Sequence, residues 1–188
     1  MEVLNAFATP IWIWSNESLP TGIEKWVDKS IKEIPSTGDT NNPRSSRGGY
    51  QSLPQQGKDF KYSDHILEKL KELVNIPLFI SNWWINCNEK GDFNTSHTHP
   101  RSDFSIVWAI TEAKGLSLTH PLPYSRDILP IPAIHAFDLK PGDMIMFPSD
   151  VPHHVEPHNS NKHRITISLN ISLIPSPQYI NNILTFAA

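Results

Sequence analysis

The sequence predicts a mainly β protein in which a sandwich of two sheets is flanked by two helices. Seven short apolar segments resemble strands and are separated by Gly, Pro or Asn. Two further segments repeat apolar residues at helical spacing. The chain contains 17 prolines and no internal repeats, which favours many short elements joined by turns. Because 188 residues suffice for one sizeable core, residues 1–188 are predicted to form a single domain.

The N-terminal part is predicted to contain one strand and two helices. The apolar run from Phe7 to Trp14 predicts the first strand. Apolar residues between Ile23 and Ile34 follow helical spacing, and Ser63 is a suitable cap for a second helix that ends before Pro77. The segment between the helices, Thr37 to Gly57, is a long loop. It is expected to be either a mobile surface excursion or a lid that shapes the entrance to a site.

The remaining six strands follow the second helix. They are Phe79 to Asn88, Asp103 to Thr111, Leu116 to Thr119, Ala133 to Leu139, Met144 to Phe147 and Arg164 to Leu173. With the first strand they give the number expected of a jelly roll, in which two antiparallel sheets face each other. The turn from Pro121 to Pro132 is expected to help shape the entrance to the site.

Composition excludes several classes of function. A formal net charge of -3 leaves no basic surface for a nucleic-acid backbone. The single cysteine, Cys87, excludes an internal disulfide and is typical of a reducing cytoplasm. No apolar run is long enough for a membrane span, so a membrane is not expected as a partner. The net charge gives no sign of nucleic-acid binding either. The expected partners are a small-molecule or protein substrate and a second copy of the chain in a homodimer.

Three of the nine histidines have a spacing that predicts a metal site. His97 and His99 are two residues apart and would project from the same face of an extended strand, while His153 would come from another strand. Three imidazoles around one point form a transition-metal site. Asp103 is held in reserve, as a further ligand or as a charged group that supports the ligands. His154 would face away from His153, because neighbouring residues of a strand point to opposite faces.

The last predicted strand alternates strictly between polar and apolar residues from Arg164 to Ile171. Solvent exposure is the ordinary interpretation of such a polar face. The alternative is a binding role, because a guanidinium group with a hydroxyl two residues further on can grip a carboxylate. On that alternative Arg164 and Thr166 form a carboxylate clamp beside the metal.

The histidine spacing also resembles a known pair of signatures. Gly91, five residues, His97, one residue and His99 are followed by Gly142, five residues, Pro148 and then His153. This arrangement is similar to the two motifs of the cupin-type double-stranded β-helix. The resemblance implies a jelly-roll barrel with a metal in its mouth. The sequence departs from these motifs at Asp103, Ile110, Asp150 and Pro157.

Further motifs make the resemblance more specific. They are Gly48-Gly49-Tyr50-Gln51-Ser52, Trp83-Trp84-Ile85-Asn86, His97-Thr98-His99-Pro100 and the strand from Arg164 to Asn170. Together they resemble the Fe(II)- and 2-oxoglutarate-dependent oxygenases, and within them a small family found in bacteria and tailed bacteriophages. That family has a Gly and paired tyrosines after the histidine motif, where this chain has Ser105 followed by Ile106, Val107 and Trp108.

The resemblance implies a hydroxylase that consumes 2-oxoglutarate and releases succinate and CO2. Iron(II) would be held by His97, His99 and His153. The superfamily usually has an acid at the position of His99, so either His99 or Asp103 completes the triad. Arg164 and Thr166 would hold the far carboxylate of 2-oxoglutarate.

Asn86 is implied, by its place on the strand before the site, to contact the keto-acid end of 2-oxoglutarate. The tryptophans Trp83, Trp84 and Trp108 are expected in the core, where buried aromatic residues dominate, rather than against a substrate.

Two other functions stay open from the sequence. One is a cupin-type metal enzyme that does not use 2-oxoglutarate, for which Asp103 would be a fourth ligand and Arg164 would face solvent. The other is a non-catalytic jelly-roll module that binds a carbohydrate or a partner.

Overall fold

The computed structural model describes residues 9–39, 45–71, 73, 77–121 and 133–174. Its helices are α1 (Ile23–Glu33) and α2 (Ser63–Lys71). Its strands are β1 (Trp12–Trp14), β2 (Ser46–Arg47), β3 (Tyr50–Gln51), β4 (Gln55–Gln56), β5 (Leu78–Asn88), β6 (Phe93–His97), β7 (Phe104–Ala109), β8 (Ala113–Thr119), β9 (Ile134–Leu139), β10 (Met144–Pro148), β11 (His153–Val155) and β12 (Arg164–Leu173). Neither helix is long and apolar enough to cross a bilayer.

The strands form two antiparallel sheets. The major sheet has the order β1-β10-β7-β12-β5-β3, and β4 also pairs with β5. The minor sheet has the order β2-β6-β11-β8-β9. The architecture confirms the predicted mainly β fold with two helices. The prediction that residues 1–188 form one domain stays a prediction.

Two apolar clusters stabilise the sandwich. One lies between the sheets and includes Val107, Leu118 and Phe147. The other covers the outer face of the major sheet, where Ile167 and Leu169 of β12 pack in the same cluster as residues of the two helices. The burial of each such side chain contributes roughly 1.5–3 kcal/mol to the stability of the fold. The helices therefore stabilise the protein by covering the second cluster.

The central strand β12 is buried on both faces. It pairs with β5 on one side and β7 on the other. Its apolar residues face the helix-covered cluster, and its polar residues Arg164, Thr166, Ser168 and Asn170 are also buried. The ordinary interpretation of an alternating strand, a solvated polar face, is therefore wrong here, because the minor sheet covers that face.

Several elements differ from the sequence predictions. The predicted loop between the helices contains the two-residue strands β2, β3 and β4. Strands β6 and β11 are not among the seven predicted from apolar residues, because Phe93–His97 is mostly polar and His153–Val155 is only three residues long. The histidine spacing nevertheless placed His97 and His153 on two strands, whereas His99, expected on the strand of His97, lies beyond its end. The first strand begins at Trp12, and the predicted Phe7 and Ala8 lie outside the described residues. The turn predicted from Pro121 to Pro132 lies almost wholly outside them as well.

Candidate metal centre and anion pocket

The minor sheet brings the three predicted histidines together. His97 ends β6 and is the direct register partner of His153, which begins β11. His99 lies two residues beyond β6, and its backbone N–H donates to the carbonyl of Ser149 at 2.8 Å. The ring centroids lie 4.3–5.0 Å apart, and one nitrogen from each ring lies within 4.8 Å of the others. This spacing suits three ligands of one ion.

Backbone carbonyls orient two of the rings. The Nδ1 atom of His97 lies 2.8 Å from the carbonyl oxygen of Thr95. The Nδ1 atom of His153 lies 3.0 Å from the carbonyl oxygen of Val151. A carbonyl oxygen only accepts, so each Nδ1 carries the proton and each Nε2 keeps its lone pair for a metal.

Side chains orient the third ring. The Nδ1 atom of His99 lies 2.8 Å from Asn170 Oδ1 and 2.8 Å from Ser105 Oγ. Asn170 is itself oriented by donating from Nδ2 to Asn82 Oδ1 at 3.0 Å, and the Ser105 hydroxyl also bonds the Ser149 hydroxyl at 2.8 Å. Because the amide oxygen accepts from Nδ1, Nε2 of His99 is left for a metal as well.

Burial keeps the three imidazoles neutral. It lowers the pKa of His99 to about 4 and that of His153 to about 3, and it also lowers the pKa of His97. Neutral imidazole is the form that binds a metal, so no proton has to be released at neutral pH.

Asp103 lies outside this group of ligand atoms. Among the described residues, the group contains only the three histidines. The Asp103 carboxylate instead accepts from the backbone N–H of Leu173 at 2.8 Å, at the end of β12. The geometry therefore favours His99 over Asp103 as the third ligand.

The other described histidines have local partners. His154 bonds Glu156 at 2.9 Å, and His158 bonds the carbonyl oxygen of Lys162 at 2.7 Å. His65 stacks on Trp108. None of these three rings belongs to the group of converging ligand atoms.

An inner cavity of about 30 Å³ continues from the histidines into the sandwich. Its wall includes all three histidines together with Asn86, Arg164, Thr166 and Ser168. Asn86 donates to Ser168 Oγ at 3.0 Å and lies 3.5 Å from Thr166 Oγ1. Strand β12 thus places its predicted clamp in the same space as the candidate ligands.

Arg164 is buried without a carboxylate partner. Only 1% of the residue is exposed, and none of the ion pairs in the described part of the chain includes it. Its Nε donates to the carbonyl oxygen of Lys114 at 3.1 Å, and one terminal nitrogen, Nη1, lies 3.4 Å from Asn88 Oδ1. The other, Nη2, is buried with no partner among the described residues.

This guanidinium is still charged at neutral pH. Burial lowers the pKa of Arg164 only to about 10. A buried charge without a counterion costs several kcal/mol, which a bound carboxylate would offset. The arrangement therefore places a candidate metal site and a group that attracts anions on the wall of one cavity.

An outer cavity of about 300 Å³ lies on the other side of the histidines. His97, His99 and Trp84 line both cavities. Gln51, Leu53 and Pro54 of the segment between the helices also line the outer one. The segment thus shapes the approach to the site, which was one of its two predicted roles. Trp84 is buried as predicted, yet it contacts the cavities rather than only the core.

Sequence reasoning assigned no role to four polar residues of the site, Ser105, Ser149, Ser168 and Asn170. Ser168 and Asn170 share the polar face of β12 with Arg164. The alternation of this strand is therefore a signal from which their role could have been predicted. Ser105 and Ser149 have no comparable signal, because their contacts depend on how β7 and β10 pair.

The comparison with protein families agrees with this geometry. Residues 82–170, which contain all three histidines together with Arg164 and Thr166, match the model of the family described as "Putative 2OG-Fe(II) oxygenase".

The segment that contains the site is that of a 2OG-Fe(II) oxygenase.

Solved oxygenases share its fold. A 2OG-Fe(II) oxygenase family protein from Burkholderia pseudomallei is 17% identical, with a TM-score of 0.58 over 86% of this chain and 85% of that one. A Trichoplax adhaerens prolyl hydroxylase in complex with a hypoxia inducible factor peptide is 14% identical, with a TM-score of 0.62 over 86% and 83%. HygX from Streptomyces hygroscopicus, solved with nickel, 2-oxoglutarate and hygromycin B, is 9% identical, with a TM-score of 0.59 over 87% and 83%.

No curated protein matches the sequence. The family match indicates an oxygenase that uses iron(II) and 2-oxoglutarate. At these identities the solved structures support the fold alone.

Proposed function

We propose that this oxygenase hydroxylates its substrate at a centre formed by His97, His99 and His153, with 2-oxoglutarate anchored by Arg164 and Thr166. One observation carries the proposal. A buried guanidinium with no counterion among the described residues lines the same cavity as three imidazoles whose free nitrogens converge.

The residues would divide the work as follows. The three Nε2 atoms would hold iron(II) on one face and leave its other positions open. The iron and 2-oxoglutarate, when bound, would supply the oxidising chemistry, in which one oxygen atom of O2 enters the keto acid as it is converted to succinate and CO2 and the other enters the substrate as a hydroxyl group.

Arg164 would pair with the far carboxylate, and Thr166 would donate its hydroxyl to that group. Asn86 donates to the Ser168 hydroxyl at 3.0 Å, so it would orient that hydroxyl in the cavity wall. A direct contact between Asn86 and the keto-acid end is part of the proposal. The apolar wall formed by Val107, Leu116 and Val155 would exclude water from the bound cosubstrate.

Burial of Arg164 argues against the first rival, a cupin-type enzyme without 2-oxoglutarate, which predicts an exposed guanidinium. The position of Asp103 argues against its use as a fourth ligand. The second rival, a binding module with incidental histidines, does not account for three oriented and neutral rings. Both rivals make predictions that the following experiment separates.

The test uses protein loaded anaerobically with iron(II) and 2-oxoglutarate and then exposed to air. We expect succinate release and a visible absorption change on addition of 2-oxoglutarate. His97→Ala should abolish both. Arg164→Met should weaken 2-oxoglutarate binding about 10- to 100-fold, because a charge-assisted pair is lost, with metal affinity kept.

His163→Ala is the matched control, since that histidine is exposed and lies next to Arg164 in sequence. Undiminished succinate release from His97→Ala, or unchanged 2-oxoglutarate affinity in Arg164→Met, would contradict the proposal.

We also propose a cytoplasmic location and a homodimer for this oxygenase. The free thiol of Cys87 supports a reducing compartment. The jelly-roll description is supported by the two facing sheets, and a phage or bacterial setting by the family resemblance.

A further inference from the structure

The outer cavity contains a hydrogen-bond acceptor that the proposed chemistry does not use. The Oε1 atom of Gln51 is buried and has no partner among the described residues. Gln51 lines the cavity beside His97 and His99, on the side away from Arg164. It therefore faces the space next to the metal site and not the space of the cosubstrate.

The fold holds the backbone of Gln51 in place. The Gly48-Gly49 turn has positive φ angles of 74° and 62° and lies against Asp92, so that a Cβ at Gly48 would lie 2.0 Å from Asp92 Oδ1. Tyr50 donates its hydroxyl to the carbonyl oxygen of Ile34 at 2.8 Å.

The next residue provides a second anchor. Ser52 is fully buried, its N–H donates to the carbonyl oxygen of Ile85 at 2.9 Å, and its hydroxyl accepts from the N–H of Ile85 at 3.0 Å. Gln51 pairs with Asn86 on β5 between these anchors. The turn motif thus presents the Gln51 side chain from a fixed backbone.

The described wall of the outer cavity contains no Asp, Glu, Lys or Arg. It consists of Thr37, Ser45, Gln51, Leu53, Pro54, Asn82, Trp84, His97, His99 and Asn170. Asn82 and Asn170 bond each other, and Asn170 also bonds His99, so these amides are occupied. The burial of a carbonyl oxygen without a donor is unfavourable, which leaves Gln51 Oε1 as the acceptor that a ligand would satisfy.

We propose that Gln51 is a substrate-binding residue and that the outer cavity takes an uncharged group with an N–H or O–H donor directed at Gln51 Oε1. Leu53 and Pro54 would contact the apolar part of that group. This inference rests on the proposed function, because it places the substrate beside the metal held by His97 and His99.

The test uses manganese(II) protein saturated with 2-oxoglutarate and measures the paramagnetic relaxation of small probes. The probes are N-methylacetamide, which has one N–H donor, N,N-dimethylacetamide, which has none, and acetate, which is charged. We expect N-methylacetamide to bind about two- to tenfold more tightly than N,N-dimethylacetamide, as one hydrogen bond allows. Acetate should bind less well than either.

Three variants identify the acceptor. Gln51→Leu should remove the preference for N-methylacetamide, while Gln51→Glu, which keeps acceptor oxygens, should retain it. Gln56→Leu is the matched control, because Gln56 is exposed on β4 and outside the cavity. Manganese affinity and thermal unfolding should be the same in all of them, which shows that the fold is kept.

Equal relaxation of the two amides in wild type, the strongest relaxation for acetate, no relaxation of any probe, or an unchanged preference in Gln51→Leu would overturn the inference. Failure of the proposed function gives a different result, because wild type and His97→Ala would then bind manganese equally well or not at all.

Discussion

The two faces of β12 are equally buried and chemically opposite. Ile167 and Leu169 belong to the helix-covered apolar cluster. Arg164 and Thr166 line the cavity between the sheets, whose wall combines histidine, asparagine and serine with a few apolar side chains. One face stabilises the fold by excluding water, whereas the other keeps polar groups in place at a cost in stability. Burial alone therefore does not separate core from site, and the chemical nature of the buried groups has to be considered as well.

The largest expected effect is on the outer face. Leu169→Ala should lower the free energy of unfolding by about 2–5 kcal/mol, because it leaves a cavity under the helices. Urea denaturation measures the loss. Ser168→Ala, the adjacent residue on the inner face, is the control and should lose less than Leu169→Ala. Equal losses at the two positions would break the comparison.

The inner face should behave in the opposite way when its charge is removed. Arg164→Met should leave the unfolding free energy of the metal-free protein unchanged or raise it by up to about 1–4 kcal/mol, because a buried charge without a counterion is removed. In urea denaturation of the manganese-loaded proteins, adding 2-oxoglutarate should then raise the unfolding free energy of wild type more than that of the variant. A loss as large as that of Leu169→Ala would show that Arg164 acts as an ordinary core residue.

A smaller effect is expected at Asn170, which orients His99. Asn170→Leu should weaken metal binding about 10- to 100-fold, since the support of a ligating histidine is lost. Asn170→Asp should bind metal more tightly than wild type, because it supplies a negative charge behind a site with three neutral ligands. Calorimetric titration with zinc measures both affinities. If Asn170→Asp binds zinc no better than Asn170→Leu, Asn170 does not support His99 as a ligand.

The last test is the pH dependence of the metal-free protein. The pKa values of His99 and His153 are lowered to about 4 and about 3, so between these values and 6.5 the unfolded chain binds protons that the folded chain does not. Stability should therefore fall as the pH decreases through this range, by up to about 1.4 kcal/mol per pH unit for each proton.

Denaturation midpoints between pH 7 and pH 4.5, measured with a chelator present, check this slope. His153→Leu should reduce it, whereas the exposed His163→Gln should leave it unchanged. A flat profile in wild type would mean that the three rings are not held neutral by burial.

The sequence predicted the site better than the strands that form it. The spacing of His97, His99 and His153 and the position of Arg164 identified the residues that the structure brings together, because ligand geometry constrains spacing. Strand β6 was missed since it has almost no apolar periodicity. The support of His99 was missed for a different reason: Asn170 reaches Ser105 through the register of β12 against β7, which no local pattern encodes.

Arg164 and Asn170 lie on one continuous strand, six residues apart and held by neighbours on both sides. One strand therefore fixes the spacing between the residue that is proposed to anchor the diacid and the residue that orients His99. On the proposed binding mode the far carboxylate pairs with Arg164 and the keto-acid end lies at the metal site, so we expect diacids one methylene shorter or longer than 2-oxoglutarate to bind less well.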